Sequence, residues 1–165
     1  MADLQVTDKP ALFNCLGLGS CIGLVGLDRS SGIAGMVHIM LPEAFKDKPV
    51  DKPGKFADTG IAELFAKLEA AGANKSRIAY AYAGGAQVFK FGSSADTRMD
   101  VGLRNIRAVE EILAGFGIKP VAFDVGGSSG RTVTVDTVSG IVKVRTVVSG
   151  EKVLCNLKEL RAVAA

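Results

Sequence analysis

The stretch Ile22-Gly23-Leu24-Val25-Gly26-Leu27-Asp28-Arg29-Ser30-Ser31-Gly32-Ile33-Ala34-Gly35-Met36-Val37-His38-Ile39-Met40-Leu41-Pro42 decides the fold. Two apolar runs flank a cluster of turn formers, Asp28 to Gly32, and Pro42 stops the second run. Their continuous apolar character predicts buried strands over Ile22 to Leu27 and Ile33 to Leu41. Joined as a hairpin, the two strands bring the residues before Ile22 back toward the end of the second strand. Cys21 stands at the first place and His38, the only histidine in the chain, at the second, seventeen residues later.

Working outward, residues 1–13 form a lead-in that ends in a short strand. Residues 43–56 carry Pro49, Pro53 and Gly54 among charges and read as an exposed loop long enough to border a site. Ile61, Leu64, Phe65 and Leu68 recur at helical spacing, which predicts a helix over 57–71 with Asp58 or Thr59 as its cap and Gly72 as its stop. Ile78 to Ala83 reads as a strand that leads into Gly84-Gly85-Ala86. After a second loop over 92–99, Asp100 caps another helix with Leu103, Ile106, Val109 and Leu113 on one face, ended by Gly115 and Gly117. Val121 to Val125 is a strand, residues 131–148 alternate around the turn Asp136 to Gly140, and the tail through Val153, Leu154, Leu157 and Leu160 is a short strand or helix. Strands outnumber helices and hairpins occur at both ends, so the pattern is not regular βαβ winding. It favours an α+β fold, a mixed sheet or two-sheet sandwich with helices outside.

The 165 residues make one domain, 1–165, long enough to bury a core. A 48% hydrophobic and 22% charged composition is that of a globular chain. The net charge of +3 comes from scattered basic residues, which argues against nucleic acid as a partner. The first ten residues are polar and charged, unlike a signal peptide, and the longest apolar stretch, Cys15 to Leu27, is too short and too broken to span a membrane. Three dispersed cysteines do not form a secreted disulfide framework; reduced thiols and a cytoplasmic location are expected.

Cys21 and His38 carry the candidate chemistry. An imidazole can take a thiol's proton and leave a nucleophilic thiolate, and glycines ahead of the thiol expose N–H groups that could hold an oxyanion. The competing readings are a buried apolar cysteine and a satisfied core histidine lying beside Met36 and Met40. Cys15 admits three readings: a second core thiol, a redox partner of Cys21, or a metal ligand with Cys21 and His38. Its C-x5-C spacing lacks the tight C-x-x-C of redox and zinc motifs. Cys155 reads as structural. Gly17-x-Gly19 lacks the third glycine and the following helix of a dinucleotide fingerprint, and no P-loop is present. The Gly126 to Arg131 loop has the look of an anion nest, with a surface turn as the default. No cofactor and no metal is expected.

Five collinear motifs resemble the CheD family of chemotaxis proteins, the chemoreceptor glutamine deamidases. They are Leu16-Gly17-Leu18-Gly19-Ser20-Cys21, Met36 to Pro42, Gly84-Gly85-Ala86, Gly102-Leu103-Arg104-Asn105, and Asp124 to Arg131. The resemblance covers about residues 12–148 and implies a three-layer α/β/β sandwich with mixed sheets. It also implies a protein-glutamine glutaminase that converts receptor glutamines to glutamate, with Cys21 as nucleophile and His38 as general base. The partners implied are cytoplasmic helices of methyl-accepting chemoreceptors and a CheC-type phosphatase, without membrane insertion. The family's third catalytic position is usually a threonine six residues before the nucleophile; here it is Cys15, whose thiol hydrogen-bonds weakly. That departure keeps a second expectation open, a non-catalytic adaptor that binds and stimulates a CheC-type phosphatase.

Overall fold

The computed structural model describes residues 2–88 and 100–162. The loop expected over 92–99 lies outside the described residues. The strands are β1 (Leu4–Thr7), β2 (Leu12–Leu18), β3 (Ile22–Asp28), β4 (Ala34–Ile39), β5 (Ile78–Gly84), β6 (Ala122–Val125), β7 (Arg131–Asp136), β8 (Ile141–Thr146), β9 (Gly150–Asn156) and β10 (Arg161–Ala162). The helices are α1 (Ala57–Ala70) and α2 (Val101–Gly115). One sheet runs β1-β4-β3-β5-β6 and the other β10-β9-β8-β7-β2. The first is mixed, because β5 and β6 pair in parallel. The second is antiparallel throughout its described pairings, so "mixed" holds for one sheet of the two.

The three layers follow from how β3 and β4 alternate. Ile22 and Leu24 on β3, and Val37 and Ile39 on β4, pack into a cluster with Ile61, Leu64 and Leu68 of α1 and Val109 and Leu113 of α2. The opposite positions, Val25, Leu27 and Met36, pack against Phe13, Cys15, Val133, Val144 and Cys155 of the second sheet. Both faces of β3 are therefore covered, which is why its sequence is apolar without interruption. The order is helices, mixed sheet, antiparallel sheet.

Two expectations change. The N-cap of α1 is Phe56, which makes no side-chain cap; Asp58 instead accepts from the backbone N–H groups of Ala44 and Thr59. A cap is worth about 1 kcal/mol, whereas each fully buried leucine contributes roughly 2 kcal/mol. Ile61, Leu64 and Leu68 are all fully buried, so packing holds this helix without the cap. The glycine-rich run before Cys21 is also not all turn. Leu12–Leu18 is strand β2, it belongs to the sheet opposite β3, and a register shift between Cys15 and Leu18 loosens it before it crosses over.

Candidate functional site

The β3–β4 hairpin places Cys21 and His38 together. Gly23 opposes His38 and Ile22 opposes Ile39, the last paired positions. One residue further, Cys21 lies on the same face as Gly23 and His38, the face turned to the second sheet, and packs against the inter-sheet core. Cys21 and His38 are thus diagonal neighbours across adjacent strands, which in an antiparallel ladder sets Cα atoms on the order of 7 Å apart. Gly23 has no side chain here, and Leu18 Cδ1 and Met36 Cε take up the space, 3.2 and 3.3 Å from where its Cβ would stand. Cys15 fills part of it from the opposite sheet: its Sγ lies 3.5 Å from where a Cβ on Gly23 would stand. All three proposed site residues therefore converge between the two sheets, and all three cysteines are free thiols.

A cleft of ≈ 380 Å³ reaches Cys15 and His38 from the surface, lined also by Asp3 and Gln5 at β1 and Leu12, Asn14 and Leu16 at β2; Cys21 is not among its lining residues. His38 is half-buried; its Nε2 has no hydrogen-bond partner among the described residues. Burial pushes its pKa below the ordinary imidazole value, so the ring is neutral near neutral pH. Burial pushes the Cys21 thiol up, and the Ser20 hydroxyl pulls it back down. Cys15 is pushed up to about 12, first by burial and then by the nearness of Cys21, so it stays a thiol.

The turn that delivers Cys21 is held by its carbonyls. Gly19 O accepts from Ala86 N at 2.7 Å and Cys21 O from Gly85 N at 2.8 Å. Ser20 O accepts from Asn105 Nδ2 at 2.8 Å. None of the three N–H groups of this turn donates to an acceptor among the described residues. Gly84 has φ +132°, and a Cβ there would stand 2.0 Å from Cys21 O. Gly102 has no room either, because its Cβ would stand 2.6 Å from Gly85 O. These two glycines let β5 and α2 close onto the Cys21 turn.

The Gly126 to Arg131 loop is not an anion nest. The Arg131 guanidinium fills it, donating to Gly84 O at 2.9 Å, Asp124 O at 2.6 Å and Gly126 O at 2.5 Å, with an ion pair to Asp124 at 3.1 Å. Arg131 thereby braces the β5 end against which the Cys21 turn is tied. Cys155 is buried in the inter-sheet core and does not line the cleft.

Residues 40–146 match the family described as CheD chemotactic sensory transduction. The chain belongs to the CheD family. It is 45% identical over 152 residues to the probable chemoreceptor glutamine deamidase CheD of Clostridium tetani, with 92% of each chain covered. It is 43% identical over 153 residues to the chemoreceptor glutamine deamidase CheD of Halalkalibacterium halodurans, covering 92% of this chain and 94% of the relative. The probable chemoreceptor glutamine deamidase CheD of Desulforamulus reducens is 41% identical over 154 residues, with 93% and 92% covered. The α/β/β sandwich described above is the fold that CheD membership led one to expect. The family match begins at Met40, C-terminal to Cys15, Cys21 and His38, so membership and the roles of these residues are separate matters. No described helix is long and apolar enough to cross a membrane.

Sequence reasoning found Cys21, His38 and Cys15; it quoted Asn105 only as the end of the motif Gly102-Leu103-Arg104-Asn105 and gave it no place in the site's surroundings. The available signal was a polar residue on the stripe Gly102, Ile106, Val109, Leu113, which faces the core. Leu103, placed on that stripe from the sequence, is only half-buried, while Asn105 is fully buried.

Proposed function

We propose that this protein deamidates glutamine side chains of a chemoreceptor's cytoplasmic helices, with Cys21 as nucleophile and His38 as base. The observation that carries the reading is the placement of Cys21 and His38 on one face of one hairpin, with His38 lining an open cleft and its Nε2 unpartnered among the described residues. His38 takes the thiol proton as Cys21 Sγ attacks the carboxamide carbon. The free N–H of Cys21 then faces the developing oxyanion. The C–N bond breaks, ammonia leaves with the proton from His38, and a thioester remains. Water, activated by the same imidazole, hydrolyses the thioester to glutamate and restores the thiol. Cys15, which lines the cleft with His38, stands at the orienting position, and its thiol is a weak hydrogen-bonding group that makes no bond to His38 Nε2 in the resting site. A CheC-type phosphatase is the second partner, competing with the receptor for the cleft face.

The test is the mass of a chemoreceptor cytoplasmic fragment after incubation with wild type or Cys21→Ala, together with ammonia release. A gain of about one mass unit per modified glutamine, absent with the variant, is expected. No gain with folded wild-type protein on several receptor fragments overturns the enzyme reading in favour of the adaptor.

A further inference from the structure

We propose that Asn105 is the positioning residue that locks Cys21 against His38, and this rests on the deamidase reading above. The β3–β4 ladder ends at Ile22 and Ile39, one residue short of the nucleophile. Beyond it the two chains have no mutual backbone hydrogen bond among the described residues. Asn105 replaces the missing rung. Its Nδ2 donates to Ser20 O at 2.8 Å and to Met40 O at 2.9 Å, so a single amide group ties the residue before Cys21 to the second residue after His38.

The direction of these bonds fixes the nucleophile as well as its distance. A peptide's C=O and N–H point to opposite sides. Holding Ser20 O toward α2 turns the Cys21 N–H away from α2, toward the inter-sheet side where Sγ and His38 lie. The same clamp therefore sets the Cys–His separation and the aim of the oxyanion donor. The residue identity fits this use. Both neighbours are carbonyls, so the side chain must present donors, and a primary amide carries two N–H on one nitrogen. Its Oδ1 is buried without a partner among the described residues. An unpartnered buried acceptor lowers stability, so packing alone does not account for an asparagine here.

The experiment compares wild type, Asn105→Ala, Asn105→Ser and Val109→Ala. Val109 is fully buried on the same helix and touches neither carbonyl, so it reports loss of stability alone. Three quantities are read: kcat and KM on a receptor fragment, the pH profile of Cys21 alkylation by iodoacetamide, and melting temperature. Asn105→Ala is expected to lower kcat by about 100-fold with KM nearly unchanged and to shift the alkylation profile. Asn105→Ser, with one donor, falls between, and Val109→Ala melts earlier with kcat unchanged. A folded Asn105→Ala with wild-type kcat and a wild-type alkylation profile overturns the proposal, as does parallel loss of activity and stability in the Asn105 and Val109 variants. If the wild type does not deamidate, the function reading fails, while the alkylation profile still decides the role of Asn105. If the Asn105 variants do not fold, NMR of the wild-type Asn105 amide decides. Its protons are expected to exchange slowly and to shift when Cys21 is alkylated; unshifted resonances overturn the clamp.

Discussion

At the scale of single residues, the site rests as a neutral pair. Burial lowers the pKa of His38 and raises that of Cys21, and both shifts favour imidazole plus thiol over an ion pair. In the proposed mechanism the thiolate forms only when the proton moves to His38 during attack. Activity then needs the unprotonated ring, and it is lost as pH falls through the lowered His38 value. The acid limb of kcat/KM is therefore expected below the ordinary imidazole value of about 6.5; a limb above it would contradict the resting state described here. Cys15 belongs to the same argument. A threonine there replaces a weak S–H with a hydroxyl that donates and accepts, a gain on the order of 1 kcal/mol. Cys15→Thr is expected to raise kcat about fivefold, and unchanged turnover would remove position 15 from the orientation of His38. Cys21 and His38 were legible because thiols and a lone histidine are rare and chemically distinctive. The role of Asn105 was not, although the residue ends the motif Gly102-Leu103-Arg104-Asn105, because its two acceptors are 85 and 65 residues away in the chain.

At the scale of elements, the site is an intersection of the β3–β4 hairpin, the β5 end and the first turns of α2. Where the backbone itself makes the contact, substitution is severe. Gly84 combines φ +132° with a would-be Cβ 2.0 Å from Cys21 O, so Gly84→Ala has both a strained backbone and a collision with the Cys21 peptide. It is expected to abolish Cys21 alkylation selectivity and deamidation together and to lower the melting temperature by several degrees; wild-type activity in this variant would show that the turn can move without cost. The hairpin, α1 and the β7–β8 hairpin were legible because local periodicity and turn residues specify them. Strand β2 was obscured, since Gly17 and Gly19 look like a loop and only Phe13 and Cys15 alternate inward before the bulge. The choice of Phe56 over Asp58 at the start of α1 was decided by the core.

Across the whole molecule, the two buried layers hold titratable groups that must stay neutral. Cys15 and Cys155 are raised to about 12, each mainly by burial, and Tyr82 to about 12 by burial and the neighbouring Glu110. Each value lies above that of the unfolded chain. The stability they contribute is fully present below the unfolded thiol value near 9 and is lost as pH rises from there toward 12. Urea unfolding is expected to give a level free energy through pH 8 and a decline above pH 9, less steep in Cys155→Ala; a level curve to pH 11 would refute this. The balance of strands and helices left one mixed sheet and a two-sheet sandwich both open, and the three layers followed only from the family resemblance. Which strand joins which sheet was not legible, because β2 and β3 are neighbours in sequence yet face each other across the core.

The clamp also dates the moment at which the thiol becomes dangerous. Cys21 and His38 leave the ribosome early, but an isolated two-stranded hairpin is marginal in water, and Asn105 follows Met40 by 65 residues. At synthesis rates of roughly 10 residues per second that is a delay of several seconds. During it the nascent chain carries its reagents without the arrangement that arms them, and the protein acquires its reactivity only as the second helix docks.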